Sequence, residues 1–304
     1  MRKVKIILPA TITNLGPGLN SLGLALGLHM TIEILERSDD RLLVEAEGEG
    51  SGRYSIGLRH PVVLALMRVF QRQERAPLGI TIKVNNQIPV GSGLGAEAAF
   101  LVGGVMAANN LLGNVYTRDQ VLEIASQISQ RPDHVITSIL GGLTTSTLDG
   151  ESLIYRALPV TMFKVIVALP DLEHYADDVR RVTQEQVLKR DAFHNLSRVP
   201  LLVDALRSGD LKFAAKVLDD RLNAPLLKPL ITGYDHVQEM AKRAGALGMT
   251  ISGSGPALVI LAEDHHKKIA EAVETAFEDV GVPVRTWILP IDTQGVVISV
   301  AQSA

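Results

Sequence analysis

The stretch Ile88-Pro89-Val90-Gly91-Ser92-Gly93-Leu94-Gly95-Ala96-Glu97-Ala98-Ala99 does most to indicate the fold of this chain. It follows a strand-like run and leads into an alanine-rich segment that ends at Gly113. Glycine lets backbone N–H groups turn inward without a Cβ atom in the way, and unpaired N–H groups at a helix start attract anions. The stretch therefore predicts a phosphate-binding loop. The alternative is a helix N-terminus with a flexible entry.

The spacing of these glycines excludes the two best-known phosphate-binding loops. No Gly-Lys-Ser/Thr follows them, as a Walker loop requires. Gly91, Gly93 and Gly95 space as G-x-G-x-G, and no acidic residue ends a second strand at the distance that a dinucleotide-binding turn needs. The pattern indicates a phosphate cradle of another kind.

Two more glycine-containing stretches stand far from the first. The earlier one runs from Pro9 to Leu26 and includes Asn14-Leu15-Gly16-Pro17-Gly18, and the later one is Ile251-Ser252-Gly253-Ser254-Gly255-Pro256. Taken singly, each fits an ordinary turn between two elements. Their occurrence in this order in one chain is more specific than any one of them alone.

Hydrophobic patterns divide the chain into two halves that each contain strands and helices. In the first half we expect strands at Val4–Leu8, Met30–Leu35, Leu42–Ala46 and Ile80–Val84, helices at Pro61–Gln71, Ala96–Leu112 and Thr117–Gln130, and a turn into a strand over Thr137–Leu148. In the second half we expect strands at Phe163–Leu169, Leu258–Ala262 and Val284–Leu289, a charged loop at Asp171–Asp178, helices at Val182–Arg190, Val199–Ser208, Leu211–Asp219 and Gly233–Ala244, and a helix capped by Asp264 that ends near Gly281. The fold class predicted is α+β, with domains at residues 1–155 and 156–304.

Composition narrows the class of protein. The 304 residues include 30 basic and 33 acidic side chains, a formal net charge of -3, which argues against nucleic acid as a partner. The absence of cysteine excludes a disulfide scaffold and a thiol nucleophile. Pro9 ends the first apolar run, and no stretch reaches the ~20 apolar residues of a membrane span. We therefore expect a soluble, cytoplasmic protein without a membrane partner.

The three glycine stretches together resemble the GHMP family of small-molecule kinases, which includes galactokinase, homoserine kinase and mevalonate kinase. The residues Asn14–Gly18 followed by Ser21-Leu22-Gly23-Leu24-Ala25-Leu26 are similar to the homoserine kinase branch in particular. Pro132-Asp133, shortly before Leu140-Gly141-Gly142, resembles the Glu-Gly-His-Pro-Asp-Asn motif of that branch. The resemblance covers nearly the whole chain.

This resemblance implies a fold and a reaction. The N-terminal domain would be similar to the second domain of ribosomal protein S5, and the C-terminal domain would be ferredoxin-like. ATP would bind with Mg²⁺ in a cleft between the domains, which all three glycine stretches would face. A small alcohol, most simply homoserine on the route to threonine, would accept the γ-phosphoryl group. The cofactor-binding residues carried over by the resemblance are Pro89, Gly91, Ser92, Gly93, Leu94, Gly95, Ala96, Glu97, Ala98 and, on the adenine side, His60. Many GHMP kinases are dimers, so a homodimer is suggested by the family resemblance alone.

The metal site departs from the family pattern. The family has two serines after the glycines, the second a Mg²⁺ ligand, where this chain has Ala96 and Glu97. The family's Mg²⁺-binding glutamate aligns with Ser129. One hypothesis is a reciprocal exchange, with Glu97 supplying the carboxylate and Ser129 the hydroxyl; the other is loss of metal binding, with Glu97 placed favourably at a helix start.

The acceptor side departs further. Asn14 and Arg180 match family residues that contact homoserine, so both are substrate candidates, and Arg180 is also a catalytic candidate. The aspartate that pairs with the ammonium group aligns with Asn20, and the motif histidine aligns with Arg131. A second arginine that binds the substrate carboxylate in the family aligns with Leu227 of this chain. The added positive charge at Arg131 suggests an acidic alcohol as an alternative acceptor.

His134 could add a function. It aligns with the motif asparagine, at the position where some family members have a catalytic aspartate. An imidazole could accept the proton of the acceptor hydroxyl, which makes His134 a catalytic candidate. The alternative is a histidine satisfied by hydrogen bonds near a helix end. Three functions stay open: a homoserine kinase, a kinase for another small alcohol, and a catalytically impaired relative that binds nucleotide or metabolite.

Overall fold

The computed structural model describes residues 2–76, 79–150, 152–182 and 186–302. The strands within these ranges form two sheets. The first sheet contains β1 (Arg2–Asn14), β2 (Gly18–Glu36), β3 (Leu42–Gly48), β4 (Ile80–Asn86), β5 (Leu143–Asp149), β6 (Ser152–Leu158) and β11 (Val297–Gln302). The second contains β7 (Lys164–Pro170), β8 (Gly248–Ile251), β9 (Leu258–Leu261) and β10 (Val284–Pro290).

The first sheet is built around a long antiparallel pair, β1 and β2, which a turn at residues 15–17 connects. The strand order is β11-β1-β2-β4-β3, and β5 adds to β2 and carries β6. Along β1, Ile6, Leu8 and Ile12 are fully buried because side chains on alternate positions of a strand point to the same face. The glycine-containing stretch from Pro9 to Leu26 lies within this pair and the turn that connects it.

Four helices cover the first sheet: α1 (Pro61–Arg72), α2 (Ala96–Leu111), α3 (Arg118–Ser129) and α4 (Pro132–Leu140). Helix α2 is buried on nearly all sides, and its small residues explain how it fits. A Cβ atom at Gly103 would lie 2.2 Å from Ile32 of the sheet, and one at Gly104 would lie 2.4 Å from the carbonyl oxygen of Val62 in α1. Alanine and glycine therefore allow α2 to lie tightly between the sheet and α1, which fixes the position of its N-terminus.

The second sheet has the order β10-β7-β9-β8, and all its neighbours are antiparallel. Numbered within the sheet, this is the order fourth, first, third, second of a ferredoxin-like fold. Its helices are α5 (Tyr175–Arg181), α6 (Lys189–Ser208), α7 (Leu211–Val217), α8 (Ala224–Leu227), α9 (Tyr234–Ala244) and α10 (His266–Glu278), with a 3₁₀ turn at Lys228–Leu230. The α+β prediction is confirmed. In the described part of the chain, no helix is both long and apolar enough to cross a membrane.

Several elements differ from the sequence predictions. Thr137–Leu140 belongs to helix α4, and Gly141 of the Gly141-Gly142 pair is the C-cap of this helix, so the turn begins only after Leu140. The segment predicted as a charged loop contains α5. Asp264 is not the cap of α10, because His265 is the N-cap residue and no side chain bonds there. Of the helix predicted at Val182–Arg190, residues 183–185 lie outside the described part, and residues 186–188 are not helical.

The expected domain boundary after residue 155 falls inside β6, which pairs with β5 as far as Leu158. The chain passes to the second sheet between Leu158 and Lys164. The last strand, β11, then returns to the first sheet and pairs with β1, with Ile298 opposite Ile6. Local patterns could not reveal this return, because strand pairing depends on residues almost a full chain length apart.

Candidate active site

The three glycine stretches meet at one junction of the two sheets, as the sequence predicts. Backbone and side-chain hydrogen bonds tie them together. Four of these bonds are Thr11 N to Leu94 O (3.0 Å), Gly253 N to Thr13 O (3.1 Å), Ala257 N to Ser92 O (3.0 Å) and Ser252 Oγ to Gly93 O (2.7 Å). The loop at residues 89–98 is therefore held by both of the other stretches.

This loop, which we call the phosphate loop, needs its glycines for steric reasons. Gly91, Gly93 and Gly95 have φ angles of 72°, 84° and 81°, a region that residues with a Cβ atom rarely adopt. A Cβ at Gly93 would lie 2.3 Å from the carbonyl oxygen of Ser252, and one at Gly95 would lie 2.0 Å from Thr11 Oγ1. Helix α2 starts at Ala96 without a side-chain cap, so first-turn N–H groups remain for an anion.

The other predicted cofactor residues of the loop contribute in two ways. The buried Ser92 hydroxyl donates to the carbonyl oxygen of Pro89 at 2.7 Å and accepts from Leu94 N at 3.2 Å, which fixes the shape of the turn. Leu94, Ala96 and Ala98 are buried in the core, so they offer a ligand only backbone groups. The loop would therefore bind an anion through its main chain.

Glu97 is the charged exception. Its side chain is exposed, and Oε1 accepts a hydrogen bond from Gly91 N at 3.1 Å. One carboxylate at the edge of a phosphate loop fits the needs of Mg²⁺, which takes one or two protein carboxylates together with phosphate oxygens and water. Ser129 is the last residue of α3, and no hydrogen bond joins it to Glu97 among the described side chains. No cluster of three or more His, Asp or Glu side chains suited to a metal occurs in the described residues.

Behind the phosphate loop lies a buried polar group built on His134. Its Nδ1 lies 2.7 Å from Thr11 Oγ1 and its Nε2 lies 3.1 Å from Thr13 Oγ1. Burial lowers the pKa of His134 to about 4, so the ring is neutral near pH 7. With both nitrogens engaged and little proton affinity, His134 supports β1 and is poorly suited to act as the general base that the sequence suggested.

Arg131 is held by a buried carboxylate. Its Nε and Nη2 donate to the two oxygens of Asp133 at 3.2 and 3.0 Å, and the Asp133 side chain is fully buried. Burial alone would raise the pKa of Asp133, but the hydrogen bonds and positive charge of Arg131, together with a hydrogen bond from the His134 backbone, outweigh it, and the pKa lies below its usual value. Asp133 is therefore ionised near pH 7. It compensates the positive charge that the sequence attributed to this pocket.

Among the predicted substrate residues, only Asn14 lies on a large cavity. Its Nδ2 donates to the carbonyl oxygen of Gly253 at 2.8 Å, and its Oδ1 accepts from Asn20 N at 2.9 Å. Asn20 is exposed. Arg180 lies on α5 with its side chain 78% exposed, and it donates to Asp177 at 2.9 Å. The structure thus brings Asn14 and the phosphate loop together through Gly253, and it leaves Arg180 on an open helix face.

The cavity beside Asn14, which we call the Asn14 cavity, has a volume of about 490 Å³. Its walls combine apolar and charged groups from the second sheet and its helices. Leu218, Leu227, Leu247 and Met249 line its apolar side, and Asp219, Asn223 and Lys228 are among its polar groups. Lys228 Nζ lies 5.2 Å from the centre of the Tyr234 ring.

A second cavity, of about 580 Å³, lies against the phosphate loop itself. Its lining includes Arg53, Gly91, Tyr175 and Arg285. Tyr175, from α5, donates to the carbonyl oxygen of Ser254 at 2.7 Å, and burial raises its pKa, so it stays a neutral donor. The two cavities adjoin the two sides of the loop junction.

His60 does not reach either cavity. It caps α1 by accepting from Val62 N at 3.4 Å, and only 2% of its surface is exposed. Its ring packs edge-on against Tyr54 and Phe100, with centroids 6.0 and 5.6 Å away, and burial lowers its pKa. It would support a nucleotide pocket from behind rather than contact adenine.

Sequence reasoning missed several residues of this site. Thr11 and Thr13 hold His134 and both neighbouring loops, Asp133 neutralises Arg131, and Ser252 bonds the phosphate loop. The alternation of Thr11 and Thr13 on one strand face was a usable signal. Nothing local revealed the bond from Ser252, because it crosses between the two sheets.

Comparison with known proteins agrees with this geometry. The family model described as the GHMP kinases N terminal domain matches residues 61–142, and the model described as GHMP kinases C terminal matches residues 202–279. The chain is 37% identical to a homoserine kinase of Moorella thermoacetica over 278 residues, covering 90% of this chain and 92% of the relative. It is 34% identical to a homoserine kinase of Carboxydothermus hydrogenoformans over 279 residues, covering 92% and 91%.

A solved structure shares the whole architecture. The crystal structure of homoserine kinase from Cytophaga hutchinsonii superposes with a TM-score of 0.86 at 26% sequence identity, and the match covers 98% of this chain and 97% of that chain. The two sheets described above are therefore part of an established two-domain fold.

Proposed function

Because the chain belongs to the GHMP kinase family, we propose that it transfers the γ-phosphoryl group of ATP to the hydroxyl group of homoserine. The observation that carries the proposal is the meeting of the three glycine stretches, which puts an anion-binding loop beside a cavity of suitable size for a small metabolite. Curated relatives named homoserine kinase, at 34% and 37% identity over most of the chain, support this acceptor.

The phosphate loop would supply positioning and electrostatic stabilisation. Phosphoryl transfer demands little covalent chemistry from the protein, so holding the phosphates and the attacking hydroxyl in line accounts for most of the catalysis. Backbone N–H groups at the start of α2 would bind the phosphates. Mg²⁺, when bound, would neutralise charge that develops on the phosphates, and Glu97 would help hold it. Ser129 as the second metal ligand stays a prediction.

Two charged side chains of the Asn14 cavity would recognise an amino-acid acceptor. Lys228 would attract the carboxylate, next to Leu227 where the family has an arginine, and Asp219 would attract the ammonium group. An acidic alcohol is less well supported, because Asp133 already compensates the charge of Arg131. The amide of Asn14 would lie at the boundary between acceptor and phosphate loop.

An ADP-release assay tests the proposal. The purified protein would be incubated with ATP and Mg²⁺ plus homoserine, threonine, mevalonate or acidic hydroxy compounds, and the product would be identified by mass spectrometry. We expect saturable ADP release with homoserine and formation of its phosphate ester. Release with another alcohol alone would replace the acceptor, and ATP binding without release in any mixture would support the impaired relative. Assembly as a homodimer stays a prediction, to be tested by light scattering.

A further inference from the structure

The loop between β3 and α1, residues 49–60, is tied to the strand that leads into the phosphate loop. Glu49 N donates to the carbonyl oxygen of Asn86 at 2.8 Å, and Asn86 Nδ2 donates back to the carbonyl oxygen of Glu49 at 2.9 Å. Within the loop, Arg53 N donates to the carbonyl oxygen of Gly50 at 3.0 Å. Its first residues therefore keep a defined position next to residues 88–91.

An aromatic cluster fixes the middle of the same loop. The half-buried Tyr54 ring packs edge-on against His60 and Phe100, with centroids 6.0 and 5.4 Å away. Phe100 belongs to α2, the helix that begins at the phosphate loop. The residue before Tyr54 is Arg53, so the cluster holds the backbone of Arg53 in register with the start of α2.

The Arg53 side chain reaches the phosphate loop. A Cβ atom built at Gly91 would lie 3.1 Å from Nη1 of Arg53, and both residues line the cavity against the loop. The guanidinium of Arg53 makes no hydrogen bond or ion pair with any residue in the described ranges. On the same glycine, the backbone N–H is taken by the carboxylate of Glu97. The guanidinium of Arg53 therefore lies near Gly91, whose backbone N–H is hydrogen-bonded to the carboxylate of Glu97.

We propose that Arg53 binds the polyphosphate of the nucleotide and offsets the negative charge that Glu97 brings to the phosphate loop. The proposal rests on the proposed function, because it needs a nucleotide at this loop. A guanidinium forms charge-assisted hydrogen bonds with phosphate oxygens, and a carboxylate close to the phosphates repels them. The guanidinium of Arg53 next to Gly91 would bind phosphate oxygens, and it would also reduce the repulsion between Glu97 and the phosphates. The adenosine part of the ligand would not contact it.

Equilibrium binding of ATP and of adenosine tests this role. Arg53→Met would be compared with wild type and with Arg59→Met, which removes another exposed arginine of the same loop. We expect the Kd for ATP to rise about tenfold in Arg53→Met, equivalent to about 1.4 kcal/mol, with no change in the Kd for adenosine. Arg59→Met should bind both ligands like wild type, and Arg53→Lys should recover part of the ATP affinity.

Each other result overturns the proposal. Equal ATP affinity in Arg53→Met and wild type would remove Arg53 from the site. A parallel loss of adenosine affinity would mean that the substitution disturbs the loop rather than a phosphate contact. If wild type binds no ATP, the proposed function fails together with this inference, whereas ATP binding that ignores Arg53 leaves the proposed function intact.

The offset of Glu97 is tested by a double-mutant cycle in EDTA. Without metal, Glu97→Gln should tighten ATP binding by removing repulsion. If Arg53 offsets that charge, Arg53→Met should weaken ATP binding less in the Glu97→Gln background than in wild type. If the two substitutions change the free energy of ATP binding additively, Arg53 contacts phosphate but does not offset the charge of Glu97, and that part of the proposal is wrong.

Discussion

The phosphate loop and the Asn14 cavity are neighbours, because Asn14 bonds Gly253 and the adjacent Ser252 bonds Gly93 of the loop. The two regions would nevertheless bind their ligands through different kinds of group. The loop works through backbone geometry, which three glycines at positive φ provide. The cavity works through side chains such as Lys228 and Asp219, so a substitution there would change charge or size. A substitution that alters the acceptor site can therefore leave the form of the neighbouring loop unchanged.

The largest effect should come from the loop backbone. In Gly93→Ala, the new Cβ would lie 2.3 Å from the carbonyl oxygen of Ser252, at a φ of 84°. This contact would force the loop to shift and would move its N–H groups away from the phosphates. Because loss of one well-placed donor costs about 10²–10³ in rate, we expect turnover to fall by about 10³-fold. Gly113→Ala is the control, because Gly113 has a φ of 87° with nothing within 4 Å of its Cβ position. Equal losses in both variants would mean that general strain, not the loop, limits activity.

The stability of the protein should depend on pH through His134, the buried histidine behind the phosphate loop. Burial holds the pKa of His134 at about 4 in the folded protein, against its usual 6.5, so the unfolded chain takes up a proton first as the pH falls. Stability is therefore full above pH 6.5 and is lost as the pH falls from 6.5 towards 4. The loss is on the order of 3 kcal/mol, at about 1.36 kcal/mol per unit of pKa. Urea unfolding across this range measures it.

The matching variants separate this support from catalysis. His134→Asn should flatten the acid loss of stability, and His236→Asn, at an exposed histidine, should not. If His134 is not the general base, the pH dependence of kcat between pH 6 and 9 should keep its shape in His134→Asn. A basic limb that disappears in this variant would restore the general-base role.

The metal dependence should change by about tenfold. In Glu97→Gln, the Mg²⁺ concentration that gives half-maximal activity should rise, because a neutral amide is a weaker ligand than a carboxylate. A tenfold rise corresponds to about 1.4 kcal/mol. Glu123→Gln, on an exposed position of α3, serves as the control. An unchanged Mg²⁺ requirement would support loss of the metal ligand rather than exchange.

The cavity should respond in acceptor affinity alone. Lys228→Met should raise KM for homoserine about fivefold and leave KM for ATP unchanged, because an exposed charge contact contributes up to about 1 kcal/mol. Lys189→Met is a matched control, since Lys189 also lies over an aromatic ring, that of Phe193, at 5.4 Å but does not line the cavity. A rise in the ATP KM instead would assign Lys228 to the nucleotide.

The smallest effect should distinguish two neighbouring arginines. Arg180 and Arg181 are 78% and 77% exposed, and each pairs with an aspartate three residues earlier. If the resemblance carries over, Arg180→Met should raise the acceptor KM about two- to threefold, within the range of an exposed ion pair, and Arg181→Met should leave it unchanged. Equal values for both variants would remove Arg180 from the site.

The extent of prediction from sequence follows the same division. The phosphate loop and α2 could be predicted, because glycine spacing and an alanine-rich run determine local backbone geometry. The pairing of Arg131 with Asp133 could not, since it depends on the burial of the carboxylate. The end of helix α4 was missed because the Gly141-Gly142 pair indicates a turn into a strand without showing that a helix precedes it, and β11 was missed because its partner lies at the other end of the chain. The resemblance suggested a catalytic role for His134, but its hydrogen bonds to Thr11 and Thr13, which local sequence does not reveal, argue for a supporting one.

The return of β11 to β1 affects how the chain folds during synthesis. The strands of the second sheet end at Pro290, whereas the first sheet needs residues 297–302 to cover the edge of β1. On the ribosome, the domain that is started first is thus completed last. Until then β1 offers a free strand edge, which is a site for pairing with other chains. A chain truncated before Val297 would lack β11 and leave that edge open permanently. Aggregation rather than loss of catalysis should therefore be the first consequence.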